Sequence, residues 1–178
     1  SSSGNLWNRF PQLRAEYKFK INGKNSLLLQ GALLRPLGAD VAPVVNQTDE
    51  LGAGELSALP FLEMRLAAEI GSAATVGASI HCGQEDFHKA WNGEKKVDSL
   101  TYAIKDEKTG TFAMAGDAKI KFGIATLSAE AFSGKNLTML FSNAYLKSVS
   151  RPEGKLKIDG VGAAGGWVEL SLKPKNSK

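Results

Sequence analysis

The residues with the chemistry to form a site gather first between positions 81 and 88, where His81, Cys82, Glu85, Asp86 and His88 fall within one short stretch. Imidazole, thiolate and carboxylate groups at such spacing are the raw material of a zinc site or a thiol nucleophile. Alternation around them argues otherwise. In Thr75–Glu85 the residues Val76, Ala78, Ile80 and Cys82 share one face, and Thr75, Ser79, His81 and Glu85 share the other. Adjacent strand residues point to opposite sides, so His81 and Cys82 do not form a dyad with one another. His88 is expected in a mobile loop, without the fixed geometry a metal requires, and no metal is expected. Gly160-Val161-Gly162-Ala163-Ala164-Gly165 satisfies G-x-G-x-x-G. That motif binds a dinucleotide only between a strand and a helix N-terminus. An alternating segment, Trp167 to Leu172, follows instead, so a flexible loop is the expectation for these glycines. With no surviving nucleophile, metal cluster or phosphate loop, the chain is expected not to be an enzyme and to need no cofactor.

The charged residues form a larger constellation. Arg14, Glu16, Lys18, Lys20, Glu63, Arg65, Asp117, Lys119, Lys121, Glu130 and Glu169 recur at every second position, each between apolar neighbours, with Glu69 and Lys173 in the same phase. A surface of this kind sets a local field for solutes passing along it, or holds a sheet together through cross-strand ion pairs.

The segments that position these residues read as strands. Gln12 to Ile21 alternates without error, with Leu13, Ala15, Tyr17, Phe19 and Ile21 on one face. The turn formers Asn22-Gly23-Lys24-Asn25 follow, and Leu27–Leu34 returns. Further strands are expected at Leu59–Ile70, Thr75–Glu85, Phe112–Phe122, Ala125–Ser133 and Trp167–Lys173. Turns at Gly71-Ser72-Ala73 and Gly123 are brief. The stretches 36–55, 84–110 and 134–162 are long and polar, and Leu100–Ile104 is expected to be a short strand inside the second of them. Connections thus run short, long, short, long, short, long.

Strands of about ten residues with this alternation of turns and loops are the pattern of an outer-membrane barrel. The expected fold is all-β: one antiparallel up-and-down transmembrane β-barrel domain over residues 1–178, a partial barrel of seven or eight strands. Small residues on the apolar face (Ala15, Ala68, Ala78, Ala118, Ala129, Ala131) suit lipid better than a packed core. Aromatics at the strand ends, Trp7, Phe10, Phe61, Phe112 and Trp167 on the loop side and Phe19 and Phe122 on the turn side, resemble interfacial girdles. Composition agrees. Of 178 residues 43% are hydrophobic, yet no run approaches the roughly 18 apolar residues of a spanning helix. The net charge of +4 is scattered, without the basic stripe of a nucleic-acid surface, so no nucleic-acid partner is expected. A lone cysteine excludes an internal disulfide.

Several ordered blocks resemble the DcaP-like group of bacterial outer-membrane porins. They are Gly4-Asn5 with Arg9-Phe10-Pro11-Gln12-Leu13-Arg14, the run Val76 to Glu85, the junction Glu130 to Leu137, and Gly165 to Ser171. Phe10 between Arg9 and Pro11 departs from the motif. The resemblance implies a fragment of a larger barrel, trimeric in the full-length protein and set in outer-membrane lipid. It also implies passive diffusion of small hydrophilic, often anionic, solutes. Two other readings stay open from the residues alone: a soluble barrel or sandwich that binds a small ligand inside, and a barrel whose long loops serve adhesion or structure.

Overall fold

The computed structural model describes residues 11–36, 52–90, 92–97, 100–104, 108–137, 147–150, 155 and 157–173. Alternating sequence gives extended chain throughout. β1 (Gln12–Lys20), β2 (Asn25–Leu34), β3 (Phe61–Ile70), β4 (Ala74–Asp86), β7 (Lys108–Phe122), β8 (Ala125–Lys135) and β11 (Gly162–Leu172) form one sheet in that spatial order, every neighbouring pair antiparallel. The sheet is open, with β1 and β11 as its two edges.

Its short connections have identifiable causes. At the first turn the Asn22 Oδ1 accepts from the backbone N–H of Lys24 (3.2 Å) and of Asn25 (3.0 Å), a side-chain copy of a backbone turn. The other two rest on glycines in the left-handed region, Gly71 at φ 54° and Gly123 at φ 60°, where a Cβ would be strained. Gly71 also donates its N–H to the Lys24 carbonyl (2.9 Å), which joins the first two turns.

The long connections carry small elements of their own. α1 (Ala53–Leu56) precedes β3, and α2 (Phe87–Ala90) follows β4. β5 (Glu94–Val97) pairs with β6 (Leu100–Ala103) as a separate hairpin, so Leu100 and its neighbours do belong to the second long connection. β9 (Lys147–Ser150) and β10 (Lys157–Gly160) make another, which the polar composition of 134–162 gave no cause to expect. Two expectations about loops are corrected. Gly160 closes β10 and Gly162–Gly165 open β11, so the glycine-rich run is extended strand; no side chain competes with the ladder there. His88 lies in α2, where Asp86 caps the helix by accepting from the Lys89 N–H at 3.0 Å.

Register carries each face from strand to strand. Leu13, Leu33, Leu62, Cys82 and Phe112 stand side by side, as do Tyr17, Leu29, Leu66, Ala78, Gly116 and Ala131. Val168, Leu170 and Leu172 extend this apolar face through Ala129, Leu127 and Ala125. Most of it is exposed among the described residues. Leu13 is 74% exposed, Tyr17 62%, and Phe19 47%, and Leu33, Leu66, Val76, Met114 and Val168 are exposed likewise, while Leu27 and Leu127 are half-buried. Two small clusters of buried apolar groups lie at the loop end: Ala32, Leu34 and Phe61, and Ala53, Phe87 and Ile158. No helix among the described residues is long and apolar enough to cross a membrane.

Candidate functional site

The opposite face of the sheet collects all the charged residues singled out above. Across the strands Arg14 shares a row with Glu63 and His81; Glu16 with Arg65; Lys18 with Asp117 and Glu130; Lys20 with Glu69, Lys119 and Glu169. Lys121 lies one step nearer the turns, opposite Thr126 and Ser171. Register alone brings them to one side, since side chains alternate with period two and no strand is out of phase.

Within the face, ion pairs reach over intervening strands. The Lys18 ammonium pairs with Glu69 across β2, and the Ser26 hydroxyl donates to the same carboxylate at 2.7 Å. The Arg65 guanidinium meets Asp117 across β4, donating through Nε to Oδ1 (3.2 Å) and through Nη2 to Oδ1 (2.9 Å) and Oδ2 (2.7 Å). Gly77 lies beneath that pair. A Cβ there would sit 2.5 Å from Arg65 Nη2 and 2.7 Å from Asp117 Oδ1. Next-nearest strands lie about 9–10 Å apart, so these straps each bind three strands together. Gln30 donates to Glu16 at 3.0 Å, and Arg14 stands 3.6 Å from the same carboxylate.

His81 is the imidazole of this face. Its Nδ1 is 3.0 Å from Glu63 Oε1, and a carboxylate acceptor places the proton on Nδ1. The ring is buried and packs T-shaped against Phe61, with centroids 5.1 Å apart. Its Nε2 is buried with no hydrogen-bond partner among the described residues. Cys82 points to the other face, opposite Leu62 and Phe112. His88 stands apart in α2, against Gly93. Among the described residues no three His, Cys, Asp or Glu side chains gather into a metal-binding group.

At the loop end the same face is covered by the long connections, packed on one another. Asn136, itself at φ 57°, donates from Nδ2 to Glu85 Oε2 (2.5 Å) and to Thr111 Oγ1 (2.9 Å), and all three side chains are buried. Thr109 donates to the Ile158 carbonyl at 2.9 Å, and Asn136 donates its N–H to the Val161 carbonyl at 3.1 Å. Glu55 of α1 accepts from Arg35 Nε at 2.7 Å and from the Gly52 N–H at 3.1 Å. On β10 the neighbouring Lys157 ammonium holds the Asp159 carboxyl below the usual carboxylate range. The Glu85–Asn136–Thr111 cluster escaped sequence reasoning, because its members lie far apart in the chain and each fits a solvated loop. Asn136 after Gly134-Lys135 was its one local sign.

The expected aromatic rims hold in part. Phe112 at the loop end, with Phe19 and Phe122 at the turn end, sit exposed on the apolar face. Trp167 instead lies on the charged face, opposite Glu130, because its number is odd in a strand whose apolar side is even. Phe61 is likewise on the charged face and fully buried over Gly83, whose missing side chain leaves the space. Trp7 and Phe10 lie outside the described residues. Compared with known protein families, curated proteins and solved structures, the chain matches none.

Proposed function

We propose that this chain builds part of the wall of a bacterial outer-membrane β-barrel, a passive pore whose lumen is lined by the charged face. The observation that carries this is the apolar face: continuous over seven strands, with large side chains exposed on six of them, β1, β2, β3, β4, β7 and β11. Burying apolar surface is worth about 25 cal/mol per Å². A sheet that left such a face in water would forgo its main stabilisation, whereas lipid covers it at no cost. The soluble-barrel alternative requires Leu13, Tyr17 and Phe19 in a protein core, and their exposure speaks against it. Short turns at one end and long connections at the other fit the same reading.

Topology adds a condition. With seven strands all antiparallel, β1 and β11 run in the same direction. A closed antiparallel wall therefore requires an odd number of further strands, entering antiparallel at each edge. The DcaP-like resemblance and a trimeric assembly belong to this proposal as its finer form. So does a preference for anionic solutes. It is supported by the turn-side half of the charged face, where Lys20, Lys119, Lys121 and Lys173 outnumber Glu130 and Glu169 after Lys18 has paired with Glu69.

Reconstitution of the full-length protein into planar bilayers tests the reading. Stepwise rises in conductance are expected; bilayers that stay sealed at protein levels sufficient for insertion refute it.

A further inference from the structure

Among the described residues of the sheet, Trp167 is the one aromatic side chain that stands exposed on the charged face. It serves no lipid interface there, since Val168, Leu170 and Leu172 carry the apolar side of β11. We propose that Trp167, Phe132 and the carboxylates of Glu130 and Glu169 form a saccharide-binding strip on the lumen wall. The proposal rests on the pore reading above and names a solute class for it. Register sets the strip out. β11 pairs Trp167 with Glu130 and Gly165 with Phe132. Gly165 has no side chain, and the half-buried Phe132 ring takes the room: a Cβ there would meet the ring at 2.9 Å. One aromatic surface thus lies over position 165, and the next stands at 167, about 7 Å further along the strand. A further strand pairing with β11 would stand beside the indole and leave its lumen side open.

Carboxylates flank the indole. Glu130 stands directly across on β8, and Glu169 lies two residues on, where the Ser171 hydroxyl donates to it at 2.5 Å. Neither carboxylate has an ion-pair partner among the described residues. A pyranose ring matches this arrangement. Its C–H face is apolar and packs on an aromatic face, while the hydroxyls at its rim donate charge-assisted hydrogen bonds to carboxylates. An organic cation also suits an indole between carboxylates, but the surroundings count against it. Lys119 shares a row with Glu169, and Lys121 and Lys173 lie beyond it toward the turns. Their ammonium groups repel a cation, whereas a neutral polyol accepts from them and donates to the carboxylates.

The test is the ion current through the full-length protein in planar bilayers, titrated with maltose as a neutral disaccharide. A polyethylene glycol of similar size controls for volume, and tetramethylammonium for charge. Maltose is expected to block the current saturably, at concentrations where the glycol does not. Trp167→Ala should raise the half-blocking concentration about five- to tenfold, the worth of one stacking surface, and Trp167→Phe should keep most of the affinity. Glu130→Gln, a weaker acceptor, should raise it severalfold. Sugar-free current shows that each variant has inserted. If Trp167→Ala fails to insert, Trp167→Leu, which keeps apolar bulk without a flat ring, takes its place. A maltose block no stronger than that of the glycol, or one equal in wild type and the ring-less variant, overturns the proposal while the pore reading stands. So does block by tetramethylammonium without block by maltose. A protein that conducts nothing overturns both.

Discussion

Gly77 offers a quantitative test of the straps across the charged face. Gly77→Ala places a methyl group 2.5 Å from Arg65 Nη2 and 2.7 Å from Asp117 Oδ1. Both atoms end flexible side chains, so the methyl is accommodated by parting the pair, and the cost is capped at what the pair is worth. A bidentate hydrogen-bonded ion pair contributes about 1.5–3 kcal/mol when desolvated. Here the side chains are 28% and 32% exposed, and solvent screening reduces that to about 1–2 kcal/mol. Against this, alanine restricts the unfolded chain and returns about 0.4–1 kcal/mol. Gly77→Ala should therefore destabilise by about 0.5–1.5 kcal/mol. Gly110→Ala is the control, since nothing lies within 4 Å of its Cβ position, and it should stabilise by about 0.4–1 kcal/mol. Urea unfolding of the full-length protein in vesicles, followed by tryptophan fluorescence, reads both. In an Arg65→Ala background Gly77→Ala should cost nothing. Equal effects of the two glycine substitutions, or a penalty that persists without Arg65, would refute the strap.

Further outcomes follow from the two faces and the loop end. Leu66→Arg puts a charge on the apolar face near mid-strand, opposite Leu29 and Ala78. It should cost about 2–4 kcal/mol in vesicles, while Ser128→Arg on the charged face should be tolerated; similar folded yields would contradict the assignment of faces. Asn136→Asp sets a second carboxylate against buried Glu85. Repulsion between the two carboxylates should destabilise the variant at pH 8, by about 2 kcal/mol or more, and the loss should shrink as the pH falls and one of them binds a proton. A urea midpoint offset from wild type that is the same at pH 8 and pH 5 would sink that prediction.

The strands of the sheet, apart from the glycine-rich opening of β11, the phase of their two faces and the ends at which the chain turns tightly were legible in the amino-acid sequence. Alternation with period two is a local property: once Gln12 to Lys20 is extended, Leu13 and Arg14 must part company, whatever the rest of the chain does. Gly71, Gly123 and Asn22 mark turns for an equally local reason, the backbone angles or side-chain acceptor each one supplies. Tertiary structure decided what no local pattern encodes. Pairing of β3 with β4 and of β4 with β7 set Arg65 and Asp117 across Gly77, a contact between residues 52 positions apart in the chain. Docking of the long connections buried Glu85 with Asn136 and Thr111, and packed Phe61 over Gly83 beside His81, because those contacts depend on which strands are neighbours. The same holds for the apolar face. Its alternation could have belonged to a core, and only the assembled sheet leaves Leu13, Tyr17 and Phe19 exposed among the described residues.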